Sequence, residues 1–199
     1  MFGVCYYPEH WPQSKWQEDA QMMAELGLTY VRIGEFAWSK LEPNPGELNF
    51  NWLDEAILTL SNAGLKVVLG TPTATPPKWL IDQHPDILPI DVNSGLVRGF
   101  GSRRHYDFSS EIYLRESIRI TKALAARYGA HRGVVGWQTD NELCCHDTTL
   151  SGSANALRGF QRALPWHKHL SQKQINEIAP SLRHDIVTGA IKYFDAQVD

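Results

Sequence analysis

An alternation of short β-rich runs with helical stretches restricts the fold more than any other feature of the chain. The runs Gly3-Val4-Cys5-Tyr6-Tyr7, Thr29-Tyr30-Val31-Arg32-Ile33, Leu65-Lys66-Val67-Val68-Leu69-Gly70 and Val134-Val135-Gly136-Trp137-Gln138 read as strands. Between them, apolar residues recur at helical spacing: from Ser14, a candidate cap, through Trp16, Ala20, Met23 and Leu26 to Gly27, then from about Trp52 to Ala63, then from Glu111 to Tyr128. Repeated strand-loop-helix order predicts a parallel sheet of βαβ units. The connections are unequal. Those after strands are long and rich in proline or aromatics, as in Glu42-Pro43-Asn44-Pro45-Gly46 and the stretch from Pro72 to about Ser110, whereas the return before Leu65 is the single Gly64. Long loops gathered at the carboxyl ends of the strands belong to a (β/α)8 TIM barrel, whose chemistry sits on that face. A doubly wound sheet also alternates, but it carries a glycine-rich phosphate turn after its first strand, and Tyr7-Pro8-Glu9-His10-Trp11 lacks those glycines.

The expected fold class is therefore α/β, a (β/α)8 TIM barrel with only about the first four βα units present. A whole barrel takes about 250 residues, and this chain has 199. Residues 1–150 are expected to form the first half of the barrel. Residues 151–199, with Pro165, Pro180 and weak periodicity, are expected to be a divergent, mainly helical continuation of a truncated product, with a helix from Ile186 to Val198.

Composition removes several classes of function. Hydrophobic residues at 43% and charged residues at 21% are globular values. Nineteen basic and 22 acidic residues give a formal charge of −3, which is no footprint for nucleic acid or an anionic membrane. Cys5, Cys144 and Cys145 make an odd set with an adjacent pair, which fits a reducing compartment better than a disulfide framework. No secretory leader is visible in MFGVCYYPEHW, and no apolar run is long enough to span a bilayer. A soluble cytoplasmic protein is expected.

Chemistry concentrates at Trp137-Gln138-Thr139-Asp140-Asn141-Glu142, which places a carboxyl group and an amide at the mouth of the fourth strand. Hydrolysing a glycosidic bond takes two carboxyl groups, one to protonate the leaving oxygen and one to attack or stabilise the anomeric carbon. The donor must be protonated at working pH, a state favoured by burial and a charged partner. An Asn-Glu pair by itself is common and by default reads as a helix cap. Its position after the fourth strand is what points to catalysis.

Four further stretches accompany it: Gly3 to Trp11, Val31-Arg32-Ile33-Gly34-Glu35-Phe36-Ala37-Trp38-Ser39, Thr71-Pro72-Thr73-Ala74-Thr75-Pro76-Pro77 with Trp79, and Gly101-Ser102-Arg103-Arg104-His105-Tyr106. With Trp137 to Glu142 and Cys145-His146-Asp147, they resemble glycoside hydrolase family 42, the cytoplasmic-type bacterial β-galactosidases, over roughly residues 1–150. The resemblance implies retaining hydrolysis of terminal β-D-galactose from β-galactosides, with Glu142 as general acid/base and Asn141 and Arg103 as substrate-binding residues. It also implies no cofactor and a homo-oligomer such as the trimer found among relatives. Arg103 is a rigid fork suited to sugar hydroxyls or to orienting the acid, and equally to pairing with a local carboxylate. Glu35 and Trp38 are expected to line the pocket or to pack the barrel rim. His10 and Trp11 are expected to touch ligand or to pack around Pro8. Asp140, flanking the acid, is either a supporting group behind it or a surface residue, and has no assigned role.

Two departures from the family accompany the match. Some relatives hold zinc with four cysteines, whereas Asp107, Ser151, Ser153 and Ala156 stand near those places here, and the adjacent Cys144 and Cys145 are badly spaced for a tetrahedral set. No metal site is expected. In the family the nucleophilic glutamate lies on the seventh strand, and Glu177, within Gln174-Ile175-Asn176-Glu177-Ile178, does not resemble its motif. The alternative to a β-galactosidase is accordingly a catalytically inactive truncated fragment or sugar-binding remnant. A change of sugar within the clan, to a β-glucosidase, mannanase or xylanase, is opposed by the Arg103 to Tyr106 stretch and the proline-rich third loop.

Overall fold

All four expected strands form, as β1 (Gly3–Cys5), β2 (Tyr30–Ile33), β3 (Lys66–Gly70) and β4 (Val134–Gln138). They pair in chain order and in parallel, with Val4 opposite Val31, Val31 opposite Val67, and Leu69 opposite Trp137. The computed structural model describes residues 2–101, 105–142, 150–163, 168–170 and 190–192. The chain divides into two units, residues 1–155 and 156–199.

In the first unit, α1 (Gln13–Glu25), α2 (Trp38–Leu41), α3 (Asn51–Asn62), α4 (Lys78–Gln83) and α5 (Glu111–Tyr128) connect the strands. Alternate residues of a strand face opposite sides. One side, with Val31, Ile33, Val67 and Leu69, is buried in a cluster with Leu53, Ile57 and Leu60 of α3 and with Leu124 and Tyr128 of α5. The other side carries Arg32, Val68 and Gln138, which are only half-buried. Helices outside and a polar inner face within make this the first four βα units of a (β/α)8 barrel. At the carboxyl end of β3, Gly70 admits Glu35 closely: an added Cβ would lie 2.7 Å from the Glu35 Cβ.

A second cluster, above the strand ends, joins Trp38, Leu80, Ile81, Ile87, Tyr106, Tyr113 and Ile120. Glu42, fully buried just after α2, ties it together. Its carboxylate accepts from Arg119 at 2.7 and 2.8 Å, from the Gly46 N–H at 2.8 Å and from Trp38 Nε1 at 3.1 Å. Its carbonyl accepts from Trp79 Nε1 at 2.9 Å. The loop after β3 is fastened to the segment after β4 by polar contacts. Buried Asp107 accepts from Ser153 Oγ, and Ser151 Oγ accepts from the Ile90 N–H at 3.1 Å.

Several expectations about local structure need correction. Ser14 does not cap α1, which starts at Gln13 after Pro12, with no side-chain cap bond. Ser110 does cap α5, accepting from the Tyr113 N–H. The stretch from Pro72 to Ser110 is not all loop, because Pro77 in extended conformation launches α4. α6 (Ala154–Ala163) begins at the end of the first unit, and in the second unit β5 (Lys168–Leu170) pairs antiparallel with β6 (Ala190–Lys192). β6 falls inside the Ile186 to Val198 stretch expected to be helical. A short run around a β-branched residue has no decisive period of its own, so ladder bonds to a partner strand decide its form. Among the described residues no helix is long and apolar enough to cross a membrane.

Candidate active site

The site is built where β4 ends. Asp140 and Glu142 both have left-handed backbone, with φ of 54° and 46°. That conformation is unfavourable for residues with a Cβ, and aspartate tolerates it better than most. The Asp140 side chain is bonded through both of its oxygens. One carboxylate oxygen accepts from the Tyr106 hydroxyl at 2.8 Å and from the Asn141 N–H at 2.7 Å. The other accepts from Thr73 Oγ1 at 2.7 Å and from the Tyr113 hydroxyl at 3.2 Å. The Asp140 N–H donates to Thr71 Oγ1 at 2.7 Å, and the Thr71 N–H donates to the Gln138 carbonyl at 2.8 Å. Burial, then the neighbouring Asp140 charge, pushes the Tyr113 hydroxyl far above its ordinary range, so it remains a donor.

A second network crosses the inner face from β2 to β4. Glu35, fully buried, accepts from Arg32 Nε at 3.0 Å and pairs with its Nη2 at 2.9 Å. Arg32 Nη1 donates to Gln138 Oε1. Gln138 Nε2 then donates to the Asp140 carbonyl at 2.8 Å and to Asn141 Oδ1 at 3.3 Å. Because Asn141 accepts through its oxygen, its NH2 end is directed away from Gln138. Burial alone would lower the Arg32 guanidinium, but the Glu35 carboxylate, joined by Cys5 and Tyr7, outweighs it and holds Arg32 above its ordinary value. Burial, reinforced by the Glu35 charge, raises the Tyr7 hydroxyl.

Asn141 and Glu142 lie together beyond β4, Asn141 buried and Glu142 exposed. Arg103 lies outside the described residues, as do Cys144, Cys145 and Glu177. Of the alternatives left open for Glu35 and Trp38, packing prevails for both. Each is fully buried, Glu35 gripping Arg32 and Trp38 sealed in the second cluster. His10 stacks on Tyr7 at 5.6 Å, with Phe36 on Tyr7 at 5.9 Å. Trp11 faces a hollow against α1 lined by Tyr6, Lys15, Asp19 and Met22, away from the Asn141 network. Sequence reasoning left Asp140 unassigned and gave no role to Arg32, Gln138, Thr71, Thr73 or Tyr113. An aspartate between a strand and the Asn-Glu pair, a residue type that accepts left-handed backbone, was the one local signal available for them.

Comparison with known proteins accords with this geometry. The family model described as β-galactosidase, glycoside hydrolase family 42, matches residues 5–180. A β-galactosidase of Thermus thermophilus is 64% identical over 166 residues, 82% of this chain and 26% of that protein. The β-galactosidase Bga of Halorubrum lacusprofundi is 53% identical over 146 residues, 73% of this chain and 21% of that protein. Among solved structures, the β-galactosidase of the psychrophilic Marinomonas ef1 superposes with a TM-score of 0.80 at 58% identity, over 82% of this chain and 25% of that one. The chain thus spans about a quarter of the length of these relatives. The family match runs through β2, β3 and β4 whole and on past Asn141-Glu142, and so the chain belongs to glycoside hydrolase family 42.

Proposed function

We propose that the chain is the amino-terminal part of a retaining β-galactosidase, with Glu142 as general acid/base and Asn141 and Arg103 as galactoside-binding residues. The observation that carries this reading is the Asn141-Glu142 pair at the carboxyl end of β4, with the Asn141 amide oriented by Gln138. In that role Glu142 protonates the glycosidic oxygen as the bond to the sugar breaks, then takes the proton of the water that releases the sugar. The Asn141 NH2 donates to a sugar hydroxyl, a contact that strengthens as charge develops on the ring. The nucleophile, set about 5 Å from the acid in a retaining enzyme, falls to the later strands of a whole barrel. On this reading residues 1–150 are the first half of the catalytic barrel and 151–199 a divergent continuation. A cytoplasmic homo-oligomer acting on β-galactosides completes the proposal.

The test joins this chain to the remaining part of the Thermus thermophilus relative and assays hydrolysis of a chromogenic β-galactoside. Activity is expected, and Glu142→Gln is expected to lower it on the order of 100-fold or more for substrates with poor leaving groups. An active fusion indifferent to Glu142→Gln defeats the assignment. A second reading, an inactive fragment or sugar-binding remnant, is favoured by one observation: the Glu142 side chain is exposed, where a proton donor calls for burial. Galactose binding without hydrolysis by the fusion supports that reading.

A further inference from the structure

Thr71, Thr73 and Asp140 form a closed ring of hydrogen bonds whose direction is fixed by its members. Thr73 Oγ1 commits its proton to Asp140 Oδ2 at 2.7 Å. The 3.3 Å contact between Thr71 Oγ1 and Thr73 Oγ1 must therefore be donated by Thr71. Thr71 Oγ1 in turn accepts from the Asp140 N–H at 2.7 Å, which returns the ring to the residue where it began. Donors in such a chain polarise one another. Tyr106, Tyr113 and the Asn141 N–H supply three further donors to the same carboxylate. The single Tyr113 proton is shared, since the same hydroxyl lies 3.0 Å from the Thr73 carbonyl. Even so, each Asp140 carboxylate oxygen is committed to protein donors.

The ring also closes where the backbone is least at ease, at the left-handed turn of Asp140 one residue before Asn141 and two before the left-handed Glu142. We infer that Asp140, locked by Thr71 and Thr73 of the third strand's loop, is a positioning residue that fixes the backbone from which Asn141 and Glu142 project. The loop after β3 thereby acts on the reaction without touching substrate. The inference rests on the reading of Glu142 as the acid.

The experiment uses the fusion described above and two families of variant. Asp140→Asn turns an NH2 toward hydroxyl donors, and Thr73→Val removes one donor while keeping the shape. Thr73→Ser restores the hydroxyl. Each is assayed with a β-galactoside of good leaving group and with one of poor leaving group, singly and combined with Glu142→Gln. A misplaced acid costs on the order of 100-fold, so Asp140→Asn and Thr73→Val are expected to lower kcat for the poor leaving group by about 10- to 100-fold, with a much smaller loss for the good one. Thr73→Ser is expected to recover activity, and neither variant to add to Glu142→Gln. Equal loss for both substrates, or losses that multiply with Glu142→Gln in protein that still folds, overturns the inference while leaving Glu142 as the acid. If Asp140→Asn fails to fold, Thr73→Val and Thr73→Ser decide alone. Indifference of Glu142→Gln to the leaving group defeats the underlying reading instead.

Discussion

At the scale of single residues, three carboxylates beyond the strand ends show different accommodations. Asp140 accepts on both oxygens, Glu35 is held by Arg32 through one oxygen while the other finds no hydrogen-bond partner among the described residues, and Glu9 has neither remedy. Both Glu9 carboxylate oxygens are buried without a hydrogen-bond partner among the described residues. Burial raises its pKa, with Glu35 adding repulsion and with the charges of His10 and Lys40 only partly opposing. The folded state consequently keeps a proton that the unfolded chain releases once pH passes the ordinary carboxylate range. Stability contributed at this site is present at low pH and is lost as pH rises through that window. Glu9→Gln is expected to raise the melting temperature by a few degrees at about pH 7 and to change it little at about pH 4. Calorimetry at the two values checks it, and an equal shift at both counts against it. The sequence made Asn141-Glu142 legible because an amide beside an acid at a strand end is a local pattern. Asp140 was not legible, since its meaning comes from Thr73 and Tyr106, 67 and 34 residues away.

At the scale of elements, the strands were legible because β-branched runs bounded by glycine and proline leave little choice of conformation. The short helix α4 and the strand β6 were missed for the opposite reason, as few residues carry too little periodicity to declare themselves. No helical period marks the Glu42 hub either, although it fastens α2 and its following loop to α5 through Arg119. Glu42 is fully buried, whereas the Arg119 side chain is 38% exposed and also bonds Glu116. Glu42→Ala strands the Gly46 and Trp38 donors and is expected to cost roughly 3 kcal/mol, read as a lower denaturation midpoint in urea with unchanged slope. Arg119→Ala should cost a comparable amount, because it leaves the buried Glu42 carboxylate without a cation although Gly46 and Trp38 still bond it. A loss confined to Glu42→Ala would assign the stability to the Gly46 and Trp38 bonds instead.

At the scale of the whole molecule, β1 and β4 are the outer strands of the parallel sheet. Val4 on β1 and Val135 and Trp137 on β4 are exposed apolar residues. Strand edges and apolar faces of this kind invite association. The 199-residue chain by itself is expected to self-associate as its concentration rises and to leave chromogenic β-galactosides uncut. Light scattering and a rate assay on the purified chain test both points. A monodisperse monomer that hydrolyses substrate, with activity lost on Glu142→Gln, contradicts the expectation.

The order β1-β2-β3-β4 matches the order in which a ribosome delivers these strands. Each of β2, β3 and β4 meets a partner already made, so the sheet is able to grow by one strand at a time during synthesis at about 5–20 residues per second. Pairing of β3 with β4 spans the longest interval, because the whole loop and α5 must emerge first. The bonds from Thr71 and Thr73 to Asp140 are thus among the last of the barrel half to be made, and the proposed acid is set in place only when the nascent chain has closed that interval.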